Sequence, residues 1–147
     1  MLFRSDSGAL LSIESWASEA KLANLRPPVR LDAGNAEWPE QLPHRMAAVI
    51  AINLCHISPW EVTLGLLAGA PRALVAGGRL LIYGPFTRQG EHTAPSNAAF
   101  DQSLRRRDPS HGVRDLDQMV ISAPDGLELV AAHEMPSNNL MAEFRCY

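Results

Sequence analysis

The sequence predicts an α/β domain, and three neighbouring stretches carry that prediction. Met46 to Ile57 is a nearly continuous apolar run, the pattern of a strand buried on both faces of a parallel sheet. Ser58-Pro59-Trp60-Glu61 follows as a capping box with proline at the first helical position, and Trp60, Leu64, Leu67, Pro71 and Leu74 continue on one stripe. Gly77-Gly78 then ends the helical region, Arg79 to Tyr83 reads as the next strand, and Gly84-Pro85 stops it. Strand, helix and strand in this order require a right-handed crossover.

The remaining elements are read in chain order. From Gly8 to Leu25, Ala9, Leu10, Ile13, Trp16, Ala17, Ala20 and Ala23 recur at three- and four-residue spacing, one face of a helix that Asp6 or Ser7 can cap. Arg26-Pro27-Pro28 ends it, because proline lacks an amide donor and pushes its predecessor out of the helical region. Val29 to Ala33 reads as a short strand with Asp32 near its exit, and Gly34 to Arg45 as loop or one helical turn. Pro71 predicts a kink or a break in the helix that starts near Trp60, since an interior proline costs about 3 kcal/mol. Beyond Phe86 a polar loop from Thr87 to Asp101 leads into a helix over Ser96 to Arg107, with Phe100 and Leu104 as its apolar pair. Asp115-Leu116-Asp117-Gln118 is a second capping box, with Leu116, Met119, Val120 and Ala123 as the buried side and Gly126 as the stop. Leu127 to Met135 and Leu140 to Cys146, joined by Pro136-Ser137-Asn138-Asn139, read as an antiparallel hairpin.

The bulk numbers narrow the function. A chain of 147 residues with 46% hydrophobic content fits a single domain over 1–147. Thirteen basic residues against sixteen acidic leave a charge of -3, and Arg105-Arg106-Arg107 is the longest basic run, so a nucleic-acid partner is not expected. Cys55 and Cys146 form neither a disulfide framework nor a metal-ligand pattern. With no signal peptide and no run approaching the roughly 20 apolar residues of a membrane span, a cytoplasmic location away from membranes is expected.

Four features together resemble the class I S-adenosylmethionine-dependent methyltransferases. Val49-Ile50-Ala51-Ile52-Asn53-Leu54-Cys55-His56-Ile57 is similar to the end of that family's fourth strand. Leu74-Val75-Ala76-Gly77-Gly78-Arg79-Leu80-Leu81-Ile82 is similar to its double-glycine turn before the fifth strand, with Ala76 where proline is usual. The final helix and the hairpin match its sixth and seventh strands. More closely, Ile52 to Glu61, Tyr83 to Phe86, Gly90 to Asp101, Ser103 to Arg105 and Met135 to Leu140 resemble the methyltransferase-like protein 26 family, formerly a domain of unknown function. That resemblance spans nearly all of the chain after Ser5. It implies a Rossmann-like sheet in the order three, two, one, four, five, seven, six, with helices on both faces and a C-terminal antiparallel hairpin. It also implies S-adenosylmethionine as cofactor and a small or unidentified methyl acceptor. By this alignment the chain begins at the end of the second strand. An N-terminally truncated domain is therefore expected, lacking the first strand and the glycine-rich loop whose backbone amides hold the cofactor in this class.

The candidate residues each carry an alternative. The resemblance places Asp6 at the cofactor ribose hydroxyls, though an aspartate there is also an N-cap. It places Asp32 at the adenine amine, or as a carboxylate that steadies a loop. Asn53 and Leu54 lie at the end of the fourth strand, on the side where ligands bind open α/β sheets, and are assigned to the cofactor. His56 is a general base or a pocket-lining residue. Cys55 points away from His56 if the strand runs through both, and reads as core. His92 is the second candidate base, and Asn97, Asp101 and Arg105, at four-residue spacing on a helix, are the candidate substrate contacts. Their alternative is a solvated helix face with an Asp101–Arg105 pair worth a few tenths of a kcal/mol. Glu91, His92 and His111 match no recurring metal-site spacing, so no metal is expected. The leading function is a methyltransferase, the alternative a non-catalytic or fragmentary scaffold. A serine or cysteine hydrolase is disfavoured by the lack of a nucleophile-elbow pattern.

Overall fold

The structure, a computed structural model, describes residues 7–147, and the chain divides into two units, Met1–Asp32 and Ala33–Tyr147. In the first unit α1 spans Ser7–Ala20. It stops short of Leu25 because Lys21 adopts a left-handed backbone with φ 49. Trp16, expected on the apolar face, is exposed. The strand expected over Val29 to Ala33 reduces to an isolated bridge at Val29, since the two prolines before it have no amide to give a ladder. Asp6, the candidate cap and ribose ligand, lies outside the described residues.

The second unit opens with a 3-10 turn at Trp38–Gln41 and continues with β1 (Met46–Ile52), a 3-10 turn at Cys55–Ile57, α2 (Trp60–Ala73) and β2 (Leu74–Gly84). Three short strands, β3 (Phe86–Arg88), β4 (Glu91–His92) and β5 (Arg114–Asp115), enclose α3 (Pro95–Arg107) in sequence; α4 (Leu116–Ser122), β6 (Leu127–Met135) and β7 (Asn139–Cys146) complete the unit. The main sheet has the order β1-β2-β7-β6, with β1 parallel to β2 and β7 antiparallel to both of its neighbours. This is the four, five, seven, six half of the expected order. The fold is α/β and Rossmann-like, of the class I methyltransferase type.

Alternation along β2 sets the core. Leu80 and Ile82 are buried, as are Ala142 and Phe144 opposite them on β7 and Leu67 and Ala70 on α2, the helix packed over this sheet. Burying one such side chain contributes about 1.5–3 kcal/mol. The other side of the sheet carries Ile50, paired to Leu81, and Ile52, paired to Tyr83. Ile50 is 58% and Ile52 63% exposed, so β1, expected to be covered on both faces, is an outer strand of this sheet with an open apolar side.

Several element boundaries differ from the sequence pattern for local reasons. β1 stops at Ile52 and not at Ile57, because Asn53 turns left-handed at φ 54. Ser58 does not cap α2; its hydroxyl donates to the Leu54 carbonyl at 2.8 Å, closing the preceding turn instead. Pro71 does not divide α2, whose last turn contains it; the missing amide removes one bond, and the helix still closes with the Leu74 amide on the Ala70 carbonyl. β2 starts at Leu74, directly after α2, and runs through the double glycine, whose Gly77 has φ 77. The ladder jumps there from Met46↔Leu74 to Ala48↔Arg79. Val120, placed on the buried side of α4, is exposed, whereas Leu116 and Met119 are buried. The second capping box forms at its cap: the Asp115 carboxylate accepts from the Gln118 amide at 3.0 Å. No described helix is long and apolar enough to cross a membrane.

Candidate functional site

The site forms where the parallel strands end. Asn53 leaves β1 with left-handed backbone, yet its amide still donates to the Tyr83 carbonyl at 3.0 Å, so the chain bends across the end of the sheet without losing its last ladder bond. Leu54 begins the 3-10 turn, and its carbonyl takes bonds from Ile57 and Ser58. This places the His56 ring over Gly84. A Cβ at Gly84 would come 3.0 Å from His56 Nδ1, so the bare glycine makes the seat for the imidazole.

On its other side the His56 ring meets Phe100 of α3 edge to face, with centroids 5.6 Å apart and planes at 69°. A pocket of about 640 Å³ opens here. Asn53, His56 and Ile57 line it from the strand end and Pro85 from the end of β2. Ser96, Asn97 and Phe100 come from α3, and Ser137, Asn138 and Asn139 from the β6–β7 turn. Among the described lining residues there is no Lys, Arg, Asp or Glu. His56 is only 5% exposed, and burial, followed by the charges of Arg114 and His111, holds its proton affinity below the usual histidine range. The neutral imidazole, the form a general base requires, is thereby favoured.

Asn97, 5% exposed, holds the pocket wall together. Its amide nitrogen donates to the Thr93 hydroxyl at 3.1 Å and to the Asn138 carbonyl at 2.9 Å. Asn138 donates back to Ser96 Oγ at 3.1 Å, and Asn139 to the Tyr83 hydroxyl at 3.0 Å. Ser137 and Asn138 are both left-handed, with φ 61 and 59, which turns the hairpin tip toward α3.

The other candidates gather elsewhere. Asp101 accepts from Arg105 Nε at 3.1 and 3.0 Å and from the Val113 amide at 2.7 Å, and His92 Nε2 is 3.6 Å from its Oδ2. His92, Asp101 and Arg105 therefore form one ion-paired cluster that is not part of the pocket lining, whereas Asn53, His56 and Asn97 come together in it. Leu54 is half-buried in the turn, and Asp32 is exposed in the first unit. Cys55 is buried, and burial pushes its thiol up, the environment of a core cysteine. Among the described residues no three His, Cys, Asp or Glu side chains converge as a metal site.

Phe100 and the hairpin residues Ser137, Asn138 and Asn139 were not among the sequence candidates. The signal for the latter was present: a seventh strand antiparallel to the fifth begins where the fifth ends, which puts the preceding turn at the mouth of the site.

Comparison with solved structures shows the fold alone, because identities are low. The mitomycin 7-O-methyltransferase MmcR is matched with a TM-score of 0.77 and 14% identity, covering 99% of this chain and 41% of that one. RosA of Streptomyces davawensis, an N,N-8-amino-8-demethyl-D-riboflavin dimethyltransferase, gives 0.74 and 18%, over 99% and 42%. CalO1, a methyltransferase of calicheamicin biosynthesis solved in its SAH-bound form, gives 0.64 and 18%, over 85% and 35%. The chain thus spans less than half the length of the structures it matches. A family model described as a protein of unknown function, DUF938, matches residues 3–146. The chain belongs to the DUF938 family.

Proposed function

We propose that the chain forms the acceptor half of an S-adenosylmethionine-dependent methyltransferase of the methyltransferase-like protein 26 kind, acting on a small acceptor. The observation that carries this reading is the pocket at the C-terminal ends of β1 and β2, lined by the buried His56 imidazole. Three methyltransferases of the same fold support it, one of them solved with SAH.

The lining fits the charged end of such a cofactor, since its described residues include no Lys or Arg to repel a sulfonium and offer the Phe100 ring to a cation. Asn53 and Leu54 at the end of β1, together with Asp6 and Asp32 by resemblance, are the residues that would hold it. When bound, S-adenosylmethionine supplies an electrophilic methyl group. The protein aligns the acceptor between Phe100 and the hairpin tip, where neutral polar groups orient it; such positioning is the larger part of catalysis for an in-line displacement. His56 takes the proton of an acceptor that carries one. His92, in its cluster with Asp101 and Arg105, serves as base only for an acceptor that reaches beyond the lining.

A second reading, a non-catalytic binding module, is favoured by the open apolar side of β1. Isothermal titration of S-adenosylmethionine and S-adenosylhomocysteine, into this chain and into a product that carries upstream sequence, separates the two. Binding heat with a thermal shift in either protein supports the methyltransferase. Absence of both signals in both proteins leaves the binding module.

A further inference from the structure

The turn that carries His56 is held by one short segment that the proposed reaction does not use. Arg114, on β5, donates from Nε to the Cys55 carbonyl at 2.9 Å and from Nη2 to the Ser58 carbonyl and to the Ser110 carbonyl, the last at 2.8 Å. Two residues earlier the Gly112 amide donates to the carbonyl of His56 itself at 3.0 Å. The carbonyls of residues 55, 56 and 58 are thereby bonded from one short segment, residues 112–114. The end of a 3-10 turn exposes such carbonyls without partners, and a forked cation satisfies them with the favourable sign of the turn's dipole.

The circuit closes through α3. The Val113 amide, between Gly112 and Arg114, is fixed to Asp101, and Phe100, the residue before Asp101, meets the His56 ring. A shift of the 112–114 segment would therefore move the backbone of His56 and the ring it packs against together. We infer that Arg114 is a positioning residue for His56, holding its imidazole in the pocket through the carbonyls on either side of it. This role deepens the methyltransferase reading and rests on it for its catalytic meaning.

Among the described residues the titratable and charged groups around the turn are Cys55 in the turn itself, Arg114 and His111 on the 108–114 segment, Glu61 on α2, and Asp101 paired with Arg105 on α3. The test is a histidine C2-proton NMR titration of the full chain, with no donor or acceptor present, so that failure of methyl transfer leaves its outcome readable. The five histidines make assignment by His56→Gln direct. In Arg114→Gln the His56 midpoint rises toward the ordinary histidine value and the cross-peaks between its ring and Phe100 weaken. Arg114→Lys keeps the charge but cannot fork to three carbonyls, so the midpoint stays near wild type while the ring contact weakens. A folded Arg114→Gln protein whose His56 midpoint and Phe100 contact match wild type overturns the proposal. Should that variant fail to fold, Arg114→Lys decides: a weakened ring contact supports the role, and an unchanged one overturns it.

Discussion

The indole of Trp38 occupies the space where Gly69 would carry a side chain: a Cβ built on Gly69 comes 2.1 Å from Nε1. The same nitrogen donates to the carbonyl of Gly65, one turn earlier, at 3.1 Å. Trp38 is 1% exposed, so a residue from an irregular stretch is inserted into a glycine groove on α2 and helps fix that helix over the sheet.

Gly69→Ala should therefore destabilise, although alanine is the better helix former. The methyl group cannot enter without displacing a rigid ring, and overpacking of this kind costs about 1–3 kcal/mol. Urea unfolding should show the unfolding free energy fall by that amount, with a lower midpoint; a midpoint at or above wild type would mean that the indole has room to move.

Thr63 gives the opposite expectation. Its hydroxyl is buried without an oxygen or nitrogen partner, and its polar neighbour is the Cys55 thiol, a weak one. Thr63→Val replaces that hydroxyl by a methyl group of similar size and should leave stability within about 1 kcal/mol of wild type or raise it. A loss of several kcal/mol in the same assay would show that the thiol contact is strong.

Asn97 joins α3 to the hairpin tip, and its loss should be felt in both. Asn97→Ala leaves the Asn138 carbonyl without its side-chain donor and opens the pocket wall, for about 1–3 kcal/mol. Hydrogen exchange should accelerate at residues 137–139 more than in β1. Unchanged exchange at the tip would contradict the bracing role.

His56 makes stability depend on pH with a definite sign. Its folded proton affinity lies below the unfolded value of about 6.5, so near pH 6 the unfolded chain binds more protons than the folded one. Stability then rises with pH across the window between the two values. The contribution of a neutral His56 is full above the unfolded value and declines as pH falls below it, levelling once the folded value is passed. His56→Gln should flatten this part of the stability profile. A profile of unchanged slope would place the pH dependence in other groups.

How much of this was legible in the sequence depends on the range of the interaction involved. The Asp115 cap was readable because cap and first turn are neighbours in the chain. The parallel pair and the hairpin were readable because their apolar periods and turn residues are local. Trp38 was not: its partners Gly65 and Gly69 lie about thirty residues away, and a tryptophan followed by proline in a stretch without a period looks like loop until the groove is seen. The apolar run of β1 states what that strand is suited to face, not what covers it, so Ile50 and Ile52 were expected inside and stand exposed. In the site, His56 and Asn53 were found from their place at a strand end, whereas the break at Asn53 that aims His56 depends on a backbone angle no composition reveals. Asp101 and Arg105 follow the helical spacing that singled them out, and they pair with each other as that spacing also allowed.

The central claim is that the pocket lined by His56 belongs to a methyl-transfer site. Amide chemical-shift mapping with S-adenosylhomocysteine, on this chain and on a product that includes upstream sequence, tests it most directly. The account predicts saturable shifts at Asn53, Leu54 and His56 with none at His133 on β6. Shifts confined to other surfaces, or none in either protein at saturating ligand, would contradict it.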